Sequence, residues 1–146
     1  MTKFLSRALE GLVQSDIRRM TVECERVGGL NLGQGICDLP TPPMLSAAAI
    51  AAIESQKSTY SYAEGVIELR SEIAKKLERD NSINSDPMSE ICVTVGATGG
   101  FATAIHALLN PGDGILMMEP YYGYHLNIAK VAGLEPQFLT LTSPDF

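Results

Sequence analysis

Histidine and cysteine are scarce in this chain of 146 residues: His106 and His125 are the only histidines, and Cys24, Cys37 and Cys92 the only cysteines. Two imidazoles and three scattered thiols, with no CxxC pair, do not make a zinc cage. An odd number of widely spaced cysteines predicts reduced thiols and a cytoplasmic protein. Basic residues are also in deficit, 11 Lys and Arg against 17 Asp and Glu, so the formal net charge is −6. Proteins that bind a phosphate backbone present clustered Lys and Arg, so no nucleic-acid partner is expected. No apolar run reaches the roughly 20 residues that cross a bilayer, so no membrane partner is expected. Met1–Glu10 has neither a continuous apolar stretch nor a small-residue cleavage site, which speaks against a secretory leader. There is no internal repeat.

What is present is ordinary globular composition, 45% hydrophobic and 19% charged, at a length that suits one domain with a real core. Ser15 to Val27 predicts a short helix stopped by Gly28-Gly29. After the extended stretch Leu30 to Gly35 and the prolines of Leu39–Pro43, Thr41 is the expected N-cap of a helix Met44–Gln56. Lys57–Gly65 is a loop holding Tyr60 and Tyr62. Val66, Leu69, Ile73 and Leu77 then mark an amphipathic helix. Its other face, with Glu68, Arg70, Glu72, Lys75, Lys76, Glu78 and Arg79, is expected in solvent.

From Ile91 the pattern changes to strand Ile91–Val95, helix Phe101–Leu109, strand Ile115–Met118, helix Tyr122–Ala132 and strand Phe138–Leu141. Alternation with nearly continuous apolar strands predicts an α/β fold, its parallel sheet covered on both faces. The mostly helical first half reads as an arm or subsidiary layer. A three-stranded parallel sheet also has two raw edges that invite further strands, so the domain looks unfinished.

Three motifs could carry chemistry. Gly96-Ala97-Thr98-Gly99-Gly100 lies where a strand turns into a helix, so free N–H groups and the positive end of the helix dipole converge on a spot suited to a phosphate. It is neither a Walker loop nor a dinucleotide fingerprint, and a glycine turn that merely packs helix on sheet remains open. Glu119-Pro120-Tyr121-Tyr122 follows the next strand, where open parallel sheets bind ligands. An aromatic there could lie on a planar cofactor or simply pack at the rim. Asn31-Leu32-Gly33-Gln34-Gly35 offers a loop N–H to a carboxylate, or a plain turn.

Together with Pro42-Pro43, Tyr60 with Gly65, Glu68-Leu69-Arg70 and Asn110-Pro111-Gly112-Asp113, these motifs occur in a familiar order. Over residues 15–142 the chain resembles the N-terminal part of class I/II aminotransferases, the fold type I pyridoxal-phosphate enzymes. It is most similar to the branch holding aspartate and kynurenine aminotransferases and their C–S lyase relatives. The resemblance implies residues 1–45 as an arm and substrate-loop segment, and 46–146 as a partial cofactor-binding α/β large domain. It implies pyridoxal 5′-phosphate as cofactor, with the main-chain N–H groups of Ala97 and Thr98 on its phosphate and Tyr122 stacked on its ring, positioned by Glu119-Pro120. Tyr60 would reach the cofactor phosphate of a neighbouring subunit in a homodimer, and Gly35 would meet the substrate α-carboxylate. Cys37, where a proline is common, and Gly114, where an acidic residue is common, depart from the family pattern without touching these contacts.

The family's Schiff-base lysine, the aspartate under the pyridine nitrogen and the carboxylate-clamping arginine lie downstream. None of Lys3, Lys57, Lys75, Lys76 and Lys130 matches the lysine's context. The expectation is therefore the N-terminal portion of an amino acid aminotransferase, acting on an amino acid and a 2-oxo acid, and inactive alone. Three alternatives stand beside it: a non-catalytic assembly module or half of a split enzyme that pairs with a chain supplying the C-terminal part, a C–S lyase of the same fold, and a nucleotide binder. The last lacks GxGxxG after Val95.

Overall fold

A computed structural model describes residues 4, 6–12, 14–35 and 37–144. Of the residues used above, Met1, Lys3 and the terminal pair 145–146 lie outside that set. After a 3-10 turn at Arg7–Leu9, the elements in chain order are α1 (Asp16–Arg26), α2 (Pro43–Glu54), α3 (Ile67–Asn81), α4 (Gly96–Leu108), β1 (Gly114–Glu119), α5 (Gly123–Val131) and β2 (Glu135–Thr140). They divide into two compact units, one formed by Met1–Gln34 with Val95–Phe146 and the other by Gly35–Thr94.

In the first unit β1 and β2 pair in parallel, Met117 opposite Phe138 and Glu119 opposite Thr140. A parallel pair needs a crossover, and α5 supplies it. The turn into β1 is closed by Asp113, whose carboxylate accepts from the Asn110 N–H at 2.7 Å while its own N–H donates to the Asn110 carbonyl. Gly133 ends α5 with φ +75°, and its carbonyl accepts from the Gly112 N–H at 2.8 Å, so both turns at this end of the sheet are tied together. Ile105 of α4, Ala129 of α5 and Leu134 form the buried core, with Phe101, Leu109, Ile115, Ile128 and Ala132 packed on it.

Helix α4 lies beside α5 and shares that core, so both cover the sheet face that carries Ile115 and Met117. The opposite face, with Leu116, Met118 and Leu139, is exposed. The expected cover on both faces is thus found on one, because neither α4 nor α5 is left for the other side. Nor does Ile91–Val95 join the sheet: among the described residues the sheet has two strands. That segment belongs largely to the other unit, where the Val93 N–H donates to the Glu64 carbonyl at 2.9 Å.

In the second unit α2 begins with Pro42 as its N-cap and Pro43 at its first position, one residue later than the Thr41 cap expected. Proline is suited to that first position, since its missing N–H would have no partner there. Helix α3 starts at Ile67 and runs through Asn81. Its face is not wholly solvated either. Arg70 is buried, 6% exposed, because residues after the helix fold back over it and its Nε donates to the Pro87 carbonyl at 2.6 Å.

Candidate functional site

Helix α4 opens at Gly96, five residues before the expected start, so the glycine-rich motif forms its first turns instead of a loop ahead of it. Gly96 adopts φ +67°, a left-handed conformation that bends the chain from Val95 into the helix. Ala97 and Thr98 therefore sit in the first turn. Their N–H groups have no helical carbonyl four residues back, the N-cap Val95 makes no side-chain cap, and both residues are exposed.

Tyr122 is the N-cap residue of α5, three residues beyond the carboxyl end of β1. Its ring, half exposed, meets His125 edge-on at 5.1 Å and Tyr124 at 5.3 Å. His125 in turn stacks on Phe101 of α4, ring centroids 4.2 Å apart. One turn further, Ile105 and Ala129 share the core. Phe101 to Ile105 and His125 to Ala129 are both steps of four residues, so α4 and α5 run side by side in the same direction. Their N-terminal ends open at one place, and the stack Phe101–His125–Tyr122 ties the tyrosine to the helix that starts at Gly96. Phe101 closes the glycine-rich motif in the sequence, whereas nothing there ties it to His125. A histidine and a phenylalanine 24 residues apart carry no local signal until two helices align them.

The end of the sheet next to this site is fixed too. The Thr140 hydroxyl donates to Glu119 Oε2 at 2.8 Å, and the Leu141 N–H donates to the Glu119 carbonyl at 2.9 Å. Tyr121, on the other side of the turn, stacks on Phe138 at 5.4 Å.

The loop Asn31–Gln34 is held on α1 by Thr21, a buried residue. The Thr21 hydroxyl donates to Gln34 Oε1 at 2.8 Å and accepts from Asn31 Nδ2 at 3.0 Å. Asn31 Oδ1 also takes the Gly33 N–H at 3.0 Å, which closes the turn. Ser15, Ile17, Arg18, Gln34, Tyr122 and Tyr124 line a cleft of about 380 Å³, a volume in the range of small-molecule sites. A second cleft of about 430 Å³ lies between the N-terminal segment and α5, with Asp16, Tyr121, Asn127 and Lys130 on its walls.

Gly35 and Tyr60 belong to the other unit. Gly35 is exposed, and a Cβ there would meet nothing within 4 Å. Tyr60 is fully exposed. So Ala97, Thr98 and Tyr122 are brought together through α4 and α5, whereas Gly35 and Tyr60 stand in a separate unit. The site's residues fit a phosphorylated planar ring: the exposed first turn at Ala97 and Thr98 offers N–H groups to an anion, and a half-exposed aromatic belongs to the helix packed against it. Among the described residues no cluster of His, Cys, Asp and Glu could hold a metal ion.

The family described as "Aminotransferase class I and II" matches residues 27–146. The chain is 37% identical over 114 residues to the Mycobacterium tuberculosis protein named "Probable N-succinyldiaminopimelate aminotransferase DapC", covering 78% of this chain and 29% of that protein. It is 36% identical over 110 residues to an aspartate/prephenate aminotransferase of Cereibacter sphaeroides, covering 73% of this chain and 26% of the relative. The solved structure of N-succinyldiaminopimelate aminotransferase from Mycobacterium tuberculosis superposes with a TM-score of 0.88 at 32% identity, over 97% of this chain and 37% of that one. The chain thus spans roughly a third of the length of the proteins it matches.

Proposed function

The chain belongs to the class I and II aminotransferases, a pyridoxal-phosphate-dependent family of fold type I, and from that membership we propose that it builds the cofactor-gripping part of an enzyme that moves an amino group between an amino acid and a 2-oxo acid. The observation that carries this reading is the parallel pair α4 and α5, whose shared opening joins two first-turn N–H groups to the Tyr122 ring through Phe101 and His125.

In this reading the Ala97 and Thr98 N–H groups hold the cofactor phosphate. They donate to oxygens that carry full charge, with the helix dipole behind them. Tyr122 covers the ring and fixes its plane. Gly35 offers its N–H to the substrate α-carboxylate, with no side chain to obstruct the approach. Tyr60, projecting into solvent, serves the phosphate of a neighbouring subunit in a homodimer. Pyridoxal phosphate, when bound, supplies an electron-withdrawing ring that can accept the charge left by a departing α-proton. The base and covalent anchor are not among the lysines described here. Lys75 pairs with Glu72 at 2.6 Å and Lys76 with Asp80 at 3.4 Å on the surface of α3. Residues 1–45 act as the arm and 46–146 as the cofactor-binding part, in a protein of the cytoplasm.

Titration of the chain with pyridoxal phosphate, read by tyrosine fluorescence, tests this. Quenching is expected to saturate, to weaken at least tenfold (about 1.4 kcal/mol) with pyridoxal lacking the phosphate, and to be lost in Tyr122→Ala. Equal affinity for the two aldehydes would remove the phosphate site. Steady keto-acid formation by the chain alone would contradict the absence of a base.

A second reading is favoured by Tyr60 and by the exposed sheet face at Leu116, Met118 and Leu139. It makes the chain an assembly partner that pairs with a polypeptide supplying the C-terminal part. Size-exclusion chromatography with light scattering decides it: a monomer at all concentrations, alone and with such a partner, would exclude it.

A further inference from the structure

The buried guanidinium of Arg70 is only partly answered by the protein. Its Nε donates to the Pro87 carbonyl at 2.6 Å, and no carboxylate forms an ion pair with it among the described residues. Asp86 is near enough to feel the positive charge, but its oxygens are taken by the Ser89 hydroxyl and the Met88 N–H. Ser85 Oγ is the one fully enclosed side-chain polar atom without a partner among the described residues, so the two terminal nitrogens of Arg70 open onto water. They do so at a cleft of about 400 Å³ walled by Tyr62, Glu64, Gly65, Ile67, Arg70 and Met88. All six residues lie in the unit Gly35–Thr94. A cation that is 6% exposed has given up most of its hydration, and an anion in the cleft would restore what burial removed.

We propose that this cleft binds a free α-amino acid with an apolar side chain. Arg70 takes the carboxylate, its planar fork suiting a two-pronged acceptor. Glu64, exposed and in no ion pair among the described residues, takes the ammonium. Two opposite charges that line one cleft without pairing with each other are left to hold the two ends of a zwitterion. Ile67, Met88 and the Tyr62 ring offer exposed apolar surface to the ligand's side chain. The walls are set before any ligand arrives. The Gly65 N–H donates to the Tyr62 carbonyl at 3.0 Å, and the Glu64 carbonyl accepts from the Val93 N–H at 2.9 Å, which lowers the ordering cost of binding. None of these residues shares a unit with Ala97, Thr98 or Tyr122, so the assignment stands or falls apart from the cofactor.

The experiment titrates the isotope-labelled 146-residue chain with L-leucine, with isocaproate, which lacks the ammonium, and with isoamylamine, which lacks the carboxylate. Amide NMR shifts report both place and affinity. L-leucine is expected to shift the Gly65 and Met88 amides saturably, and to bind about tenfold more tightly than either analogue. Glu64→Gln, at an exposed side chain, should bring L-leucine and isocaproate within about twofold of each other. Arg70→Lys should weaken both carboxylates together and leave isoamylamine unchanged, with the dispersion of the amide spectrum showing that the fold is kept. A wild-type chain that binds L-leucine and isocaproate alike overturns the proposal, as does a preference for L-leucine that survives Glu64→Gln. Shifts confined to amides away from the cleft, or no saturable shift at all, overturn it as well.

Discussion

At Gly65 two constraints act on one residue. Its φ is +95°, and a Cβ there would lie 2.8 Å from both Cβ and Cγ2 of Val93. Left-handed backbone alone costs an L-residue about 1–2 kcal/mol, and the close approach adds to it. Gly65→Ala is therefore expected to lower stability by about 2–4 kcal/mol, measured as a fall in the urea midpoint, and Val93→Ala should recover part of the loss. Arg70 gives a second case. Replacing it with Met keeps most of the volume but leaves the Pro87 carbonyl without its donor at 2.6 Å. A loss of about 2 kcal/mol follows for a hydrogen bond to a charged group. The sequence put Arg70 on a solvated face because helical periodicity reads only the helix itself. What covers Arg70 comes from residues 17 positions on, and no local pattern announces that.

Among the elements, the turn after α3 carries its own acid sensitivity. Asp86 accepts from the Ser89 hydroxyl at 2.6 Å and from the Met88 N–H at 2.9 Å, and these bonds, the serine's first, hold its carboxyl below the usual carboxylate range. A lowered native value means stability that is present above the unfolded pKa of about 4 and lost as pH falls through the native one. Exchange of the Met88 amide should accelerate below about pH 4, and Asp86→Asn should abolish that dependence. In α4, Ile105→Ala is expected to cost about 3 kcal/mol and to loosen its hold on α5. Most of these elements were legible: α1, α3, α5, β1 and β2 follow from periodicity, caps and glycine stops. The start of α4 was not, because glycine is a poor helix former and Gly96–Gly100 read as loop. Strand pairing at Ile91–Val95 was not either. A β-branched run predicts an extended chain, but only a partner makes it a strand. Of the proposed site, the helix opening and Tyr122 were visible as motifs, whereas the stack joining them depends on how α4 and α5 align.

For the molecule as a whole, covering one sheet face leads to an expectation of self-association. Leu116, Met118 and Leu139 share a face with exposures of 66%, 59% and 49%, a patch that a monomer in water does not favour. Light scattering should give a mass that rises with concentration, and Leu116→Lys with Met118→Lys should return it toward the monomer. The chain order of the two units also sets a timetable for synthesis. Gly35–Thr94 is contiguous and can close as soon as it leaves the ribosome. The first 34 residues, by contrast, must wait until everything from Val95 onward has emerged, so the loop that Thr21 holds and the tyrosine it is meant to face are born more than 80 residues apart.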